Sequence, residues 1–364
     1  MSAPTADRIQ VMASTAPSWL EASEGEEENI VLSTRLRLAR NLTGHPFPQN
    51  ADSGEQQTVY EHLTSSLVRS GLFAEEALFP LLELDQGVGR LLVERHLISG
   101  ALARKEGPRG VFADRGERFS VMLNEEDHLR LQFVTGGLAS TAAWEELSGA
   151  DEELGEEVRW AWRSDYGYLT ACPTNVGTGL RVSVMMHLPA LVLLDEADAT
   201  LRAATQAGML VRGVYGEGSS VHGNIYQLAN QMTLGRSEED ILESVVRVAR
   251  QVAEHEERAR LTLRREAPLH LEDKVHRALG ILRTARLLGP RECLNLLSAV
   301  RLGVNMYVLS DVEINTLNEL MVLTRPSHLD RREGREMDAT EQDVLRAEVI
   351  RGRLRPRGGT DTNE

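Results

Sequence analysis

The stretch Cys172-Pro173-Thr174-Asn175-Val176-Gly177-Thr178-Gly179-Leu180-Arg181-Val182-Ser183-Val184-Met185-Met186-His187-Leu188 runs from a glycine-rich turn straight into an alternating segment. Leu180, Val182, Val184, Met186 and Leu188 alternate with Arg181, Ser183 and His187. Period two is the signature of a strand with one buried face. Residues 30–38, IVLSTRLRL, repeat it, with even positions mostly apolar and odd ones becoming polar at Arg35 and Arg37. Phe119, Val121 and Leu123 alternate likewise, as do Leu129, Leu131 and Phe133 opposite His128, Arg130 and Gln132. One-sided alternation in several strands predicts an antiparallel sheet with one covered face. Helical stretches lie between them, around residues 56–70 and 190–207.

From Ser237 the period changes. Ser237-Glu238-Glu239-Asp240 reads as a capping box with Asp in the usual Glu/Gln place, and Ile241, Leu242, Val245, Val246, Ala249 and Val252 follow at helical spacing. Pro268, Gly289-Pro290 and Pro326 punctuate further helices. The chain therefore divides into a flexible N-terminus (1–28), an α+β catalytic domain (29–255), a mostly helical C-terminal domain (256–351) and a disordered tail (352–364). The fold class is α+β, an antiparallel sheet flanked by helices and followed by helices.

Length and composition narrow the function. The chain has 364 residues, 41% of them hydrophobic, and a net charge of -15. An acidic chain lacks the basic footprint that nucleic-acid binding needs. No apolar run reaches the roughly 20 residues of a membrane span, and the N-terminus lacks the pattern of a secretory signal. Two cysteines, Cys172 and Cys293, make no disulfide framework. The expected compartment is the cytoplasm. Acidic runs at residues 24–28 and 151–157 read as solvated loops or helix faces.

The chemistry is carried by arginines. Arg35 and Arg37 are two apart and point to one side of their strand. Arg130 and Arg181 sit on the polar faces of two others, and Arg212 enters the turn-rich Arg212-Gly213-Val214-Tyr215-Gly216-Glu217-Gly218. One such arginine would simply face water. If the strands are neighbours, five guanidiniums converge, and a polyanion must neutralise them. Arginine's planar fork grips phosphate oxygens two at a time, so a triphosphate suits the set. No GxxxxGK[ST], HRD or DFG pattern is present. Acidic candidates are Asn124-Glu125-Glu126-Asp127-His128, a dense turn between two strands, and Glu217, whose flanking glycines suggest a mobile loop.

These motifs together resemble the phosphagen (guanidino) kinases. STRLRLARN (33–41), NEEDHLR (124–130), CPTNVGTGLRVSVMMHL (172–188) and RGVYGEGSSVHGN (212–224) follow that family's order. The short N-terminus and helical C-terminal part are similar to its bacterial protein-arginine kinase branch, the McsB type. The resemblance implies the phosphagen-kinase catalytic fold, glutamine-synthetase-like, and a set of nucleotide-binding positions. These are Ser33, Thr34, Arg35, Leu36 and Arg37 on the first strand, His96 beside the adenine, and Arg130. Arg181, Val182, Ser183, Val184 and Met185 follow, then Arg212, Gly213, Val214, Tyr215 and Gly216. It implies catalytic Glu126 and Glu217, and it matches Cys172 with the family's reactive cysteine, an inert core cysteine being the open alternative.

Two departures matter. Small-guanidine kinases carry an extra N-terminal helical domain of about a hundred residues, whereas only some thirty residues precede the first strand here. Protein-arginine kinases carry an RDxxRA motif that binds phosphoarginine. Here it reads Gln342-Asp343-Val344-Leu345-Arg346-Ala347. An allosteric pocket built on Gln342, Asp343, Arg346 and Ala347 and an ordinary polar helix turn both remain open.

The implied activity is ATP-dependent phosphorylation of protein arginine in stress response and quality control. Mg²⁺ would be held mainly through phosphates, with no metal site built from protein ligands. The implied partners are protein substrates with exposed arginine, an activator protein, a heat-shock repressor and the Clp chaperone-protease, with a homodimer, no nucleic acid and no membrane. The rivals are a kinase for a small free guanidine such as arginine, and a catalytically weak phosphoarginine-binding adaptor.

Overall fold

The structure is a computed structural model that describes residues 3–21, 29–213 and 221–355. Its described strands are β1 (Val31–Arg40), β2 (Leu78–Pro80), β3 (Gly110–Ala113), β4 (Phe119–Leu123), β5 (Leu129–Gly136), β6 (Trp162–Arg163), β7 (Gly167–Tyr168), β8 (Leu180–His187), β9 (Met209–Gly213) and β10 (Ile225–Asn230). Eight of them form one sheet in the order β2-β3-β4-β5-β1-β8-β10-β9, and β6 and β7 make a separate hairpin. Every neighbouring pair in the large sheet is antiparallel, as the alternation predicts.

The alternation also sets the layers. Leu36, Leu38, Val182, Val184 and Met186 are fully buried in a core with Leu147 and Leu154 of the helix Ser140–Glu157 and Val245 and Val252 of the helix Glu238–Glu266. Each such side chain contributes about 1.5–3 kcal/mol on burial, as an upper estimate. Thr34 lies on this face too, its hydroxyl donating to the Gly137 carbonyl at 2.7 Å. The opposite face carries the arginines.

The turn before β8 needs its glycines. Gly179 has φ +69°, and a Cβ there would meet the Ala39 carbonyl oxygen at 2.7 Å. Only glycine lets the chain enter β8 while its own carbonyl accepts from the Ala39 amide at 3.0 Å.

The capping box at Ser237 forms, with the Asp240 amide donating to Ser237 Oγ at 3.1 Å. The 29-residue helix it starts, Glu238–Glu266, runs unbroken through the boundary expected at residue 255. Beyond it lie the helices Pro268–Thr284, Pro290–Asn305, Ile314–Leu323, Pro326–Glu333 and Ala339–Arg353, three of them opening on proline. They form a second core, which Leu32 and Ile225 of the sheet enter. Among the described residues no helix is long and apolar enough to cross a membrane.

Two expectations change. The N-terminus was expected to be flexible, but residues 3–21 include the helix Ala3–Ser14, whose Ile9 and Met12 pack with Phe79 and Leu91. The buried Arg95 ties the segment down, donating to the Met12 and Thr15 carbonyls at 2.5 and 2.8 Å and pairing with Glu117. Asp151, expected on a solvated face, is buried against Arg40 instead, with N–O distances of 2.6 to 3.1 Å. Arg40 also donates to the Thr178 carbonyl at 2.9 Å and stacks over Tyr168 at 3.5 Å.

Removing one partner of a buried ion pair strands the other charge, at about 3–5 kcal/mol. Asp151→Ala should therefore destabilise the protein by about that amount in urea unfolding. A midpoint matching the parent would show that Arg40 does not depend on it.

Candidate active site

All five arginines singled out by the pattern, Arg35, Arg37, Arg130, Arg181 and Arg212, line one cleft of about 280 Å³ on the polar face of the sheet. The register explains the convergence. Arg37 lies directly opposite Arg181 across β1 and β8, Ala39 opposite Arg130 across β1 and β5, and Gln227 opposite Arg212 across β10 and β9. Glu126, Cys172, Thr174 and Asn175 line the same cleft.

The cluster is under electrostatic load. Burial, with Arg181 and Arg130 adding, brings the Arg35 guanidinium down to about 10. Burial, with Arg35, Arg130 and Arg181 adding, pushes Arg37 well below the usual arginine range. Arg181 is lowered by burial and then by Arg212. The buried Nε of Arg37 has no hydrogen-bond partner among the described residues. Guanidiniums packed together so, with a buried Arg37 donor left without a partner, fit a polyanion with many oxygen acceptors.

The acidic turn supplies one exposed carboxylate and a scaffold. Asn124 donates to the Gln56 and Pro108 carbonyls, both at 2.9 Å. Glu125 accepts from Ser99 Oγ at 2.6 Å and pairs with Arg130 at 2.8 Å, and charge and hydrogen bonds together hold it below the usual carboxylate range despite its burial. Asp127 accepts from Asn41 and from the Ala171 amide, each at 2.7 Å, and burial raises its pKa. His128 Nδ1 accepts from the Leu42 amide at 3.0 Å, so its Nε2–H donates to the Pro46 carbonyl at 2.8 Å. The side chain of Glu126 alone in this turn is substantially exposed, at 43%, and it faces the cleft 3.1 Å from Arg130.

A second, narrow cleft adjoins the first. Trp19, Ser33, His96, Val134, Ser183 and Met185 line it, and Arg35 and Gln227 line both. The His96 ring lies 5.8 Å from the Trp19 ring, and burial followed by Arg35 and Arg325 brings its pKa down to about 3. Ser33, Ser183, Met185 and His96, expected at the nucleotide, thus gather beside Arg35. Thr34, Leu36, Val182 and Val184 have buried side chains, the last three within the helix-covered core. At these positions only the main chain can face the cleft. Gly213 ends β9 opposite Tyr226. Glu217, Val214, Tyr215 and Gly216 lie outside the described residues.

Trp19 and Gln227 were missed. Trp19 fell in a segment read as frayed, although Trp19-Leu20 is the kind of apolar pair that seeks a core. Gln227 belongs to a strand whose own alternation, Ile225, Gln227, Ala229, was available. The Gln342 group lies apart, in the helix Ala339–Arg353. Arg346 donates to the Thr324 and Leu288 carbonyls at 2.9 and 2.8 Å and pairs with Asp343 at 2.5 Å. Gln342 donates to Asp330 at 2.9 Å, and Ala347 is buried in the helical core.

The family description ATP:guanido phosphotransferase, C-terminal catalytic domain, matches residues 58–259. The chain belongs to this family. The protein-arginine kinase McsB C-terminal domain matches residues 268–364. The chain is 44% identical to a protein-arginine kinase of Halothermothrix orenii and 46% identical to one of Moorella thermoacetica, over 92% of its own length and 96% of theirs in both cases. Among solved structures, the duplicated taurocyamine kinase of Schistosoma mansoni with bound transition state analog components is similar at 25% identity and TM-score 0.56. That match covers 75% of this chain and 40% of that one. A lombricine kinase shares the fold at TM-score 0.55, over 67% of this chain and 70% of that one. The chain thus has an antiparallel sheet flanked by helices, followed by a helical region, and shares its fold with these guanidino kinases.

Burial also brings His128 down to about 4. Unfolded, both histidines titrate near about 6.5. Folded, they stay neutral where the unfolded chain takes up protons. Their contribution is full above about pH 6.5 and falls as pH drops towards the folded values, at about 1.4 kcal/mol per pH unit for each. Urea midpoints should fall between about pH 7 and 5, and His128→Gln should shallow the slope. A slope unchanged by His128→Gln would refute the assignment.

Proposed function

We propose that this protein transfers the γ-phosphoryl group of ATP to arginine side chains of other proteins. The observation that carries the reading is the convergence of five arginines on a cleft whose one carboxylate, among the described lining residues, is Glu126. Relatives that match nearly end to end are named protein-arginine kinases, which favours a protein acceptor over a small free guanidine. An adaptor that only bound phosphoarginine would have no use for a carboxylate held exposed beside the arginines.

A guanidinium is protonated at ordinary pH and attacks poorly. Glu126 pairs with it, orients one nitrogen towards the γ-phosphorus and accepts its proton as the N–P bond forms. The bond from the γ-phosphorus to the β–γ bridging oxygen breaks, and ADP leaves with that electron pair. Arg35, Arg37, Arg130, Arg181 and Arg212 hold the phosphates in line and stabilise charge on the transferring group. His96, Ser33, Ser183 and Met185 receive the base and ribose. Glu217 would act as a second carboxylate on the guanidinium. The cationic lining suits phosphate oxygens rather than direct metal ligation, so Mg²⁺ would be held through ATP oxygens and water, where it adds charge neutralisation.

The wider assignments are of the same kind: a cytoplasmic role in stress response, an activator protein, a heat-shock repressor as substrate, delivery to Clp chaperone-protease machinery, and a homodimer. At the RDxxRA-like site Arg346 is engaged by carbonyls and Asp343 through Nε and Nη1, only its buried Nη2 has no hydrogen-bond partner among the described residues, and Gln342 brings no charge. Phosphoarginine should therefore act there weakly.

Incubation with ATP, Mg²⁺ and unfolded casein should place acid-labile phosphate on arginine, located by mass spectrometry. Phosphate on free arginine but none on casein would instead make this a small-guanidine kinase. Glu126→Gln should lower turnover by at least about 10²-fold with ATP affinity retained; an active variant would remove Glu126 as the base. Arg181→Lys keeps the charge but loses the fork. It should weaken ATP binding and turnover together, and parental values for both would take Arg181 out of the phosphate clamp.

A further inference from the structure

The end of the cleft that holds Glu126 opens beside an apolar surface that the catalytic reading leaves unused. Trp162 and Tyr166, on the hairpin formed by β6 and β7, are 57% and 47% exposed, and Met232 and Leu234, in the loop after β10, are 61% and 47% exposed. Hydrogen bonds join these two segments to the cleft wall. The Tyr168 amide donates to the Gly177 carbonyl at 2.8 Å, and the Gly177 amide returns a bond at 3.2 Å. Thr233 Oγ1 donates to the Thr174 and Val176 carbonyls at 3.1 and 2.6 Å. A Cβ on Gly177 would sit 2.9 Å from Leu234 Cα, so the loop lies against the turn. Thr174 and Asn175 of that turn line the cleft.

The hairpin is held in shape. Arg163 pairs with Asp165 at 2.7 Å and lies over the Tyr166 ring at 5.1 Å, so its charge is answered locally. Next to it the helix Glu238–Glu266 opens with Glu238, Glu239 and Asp240, and Glu238 is close enough to act electrostatically on the Tyr168 hydroxyl; the exposed Arg236 precedes these three acids, so the edge is acidic on balance. Exposed aromatic and aliphatic side chains thus stand on two segments that both rest on the turn of residues 173–177, whose Thr174 and Asn175 line the cleft beside Glu126, with acidic residues next to them. Large apolar side chains grouped in the open mark interaction sites.

We infer that this patch docks the polypeptide flanking the target arginine, an extended, unfolded segment with apolar and basic side chains. The inference rests on the protein-arginine reading above and deepens it. Trp162 and Met232 grip apolar side chains a few residues from the arginine, the acidic edge favours cationic neighbours, and the turn of residues 173–177 guides the guanidinium towards Glu126.

The test compares two acceptors, unfolded casein and a blocked Gly-Arg-Gly tripeptide too short to reach the patch. Trp162→Ser and Met232→Ser, singly and together, should raise KM for casein on the order of tenfold for the pair, the scale of a lost binding hot spot. KM for ATP, kcat and tripeptide phosphorylation should stay at parental values, and Trp162→Phe should restore casein binding. Unchanged KM for casein in the double variant overturns the inference, as does a parallel loss on casein and tripeptide, since that would mean a damaged cleft. Failure of the parent protein to phosphorylate arginine in either acceptor would instead overturn the underlying function.

Discussion

Arg37 and Arg181 face each other across two hydrogen-bonded strands, and much of the molecule is arranged around that pairing. Like charges directly opposite on a sheet are destabilising even in the open, and here burial and Arg35, Arg130 and Arg212 add to the load. The side chains cannot turn away, because the opposite face of the same strands carries Leu36, Leu38, Val182 and Val184 in the main core. A slip of one residue would relieve the arginines only by exposing that core. The hydrophobic face thus holds the cationic face in place, and a bound polyanion would remove the repulsion while stabilising the fold by mass action.

Holding such a face demands rigid edges. The Arg40–Asp151 pair and the Gly179 turn lock the end of β1 against the entry to β8. On the other side of β1, Asn41 and His128 tie the acidic turn to the strand end, with the His128 main-chain amide donating to Asn41 Oδ1 at 2.9 Å. Three neighbouring acidic residues thereby acquire different chemistry. Glu125 and Asp127 are engaged by amides, hydroxyl and guanidinium, which leaves the Glu126 side chain exposed beside the arginines. What distinguishes Glu126 from Glu125 is which way the turn faces, not residue type.

The narrow cleft proposed to receive the nucleotide base is assembled from distant parts of the chain. Trp19 and Leu20 pack with Val134 of the sheet and Val322 of the helical domain, and Asn318 donates to the Leu20 carbonyl at 2.8 Å. His96 sits against Trp19 next to the Arg95–Glu117 pair. The N-terminal segment and the helical domain therefore both bear on the wall of the proposed nucleotide site, so a change in how they dock would be felt at His96 and Arg35.

Much of this was legible in the residues. Period-two alternation in residues 30–38, 119–133 and 180–188 identified the strands, their covered side and the arginines of the other side, because a strand's side-chain geometry is local. The capping box at Ser237 and the prolines at 268, 290 and 326 marked helix starts for the same reason. Strand order was not legible: that β1 lies between β5 and β8, bringing Arg130, Arg37 and Arg181 together, depends on pairings between residues up to about a hundred and fifty apart. Asp151 looked like any acid on a helix until Arg40 was found beneath it, and Trp19 looked like part of a loose end until a wall formed around it. Sequence determined which residues could carry charge towards a common face. Only the tertiary structure decided which charges are left unpaired there, because pairing depends on distance in space and burial, and neither is a property of neighbours along the chain.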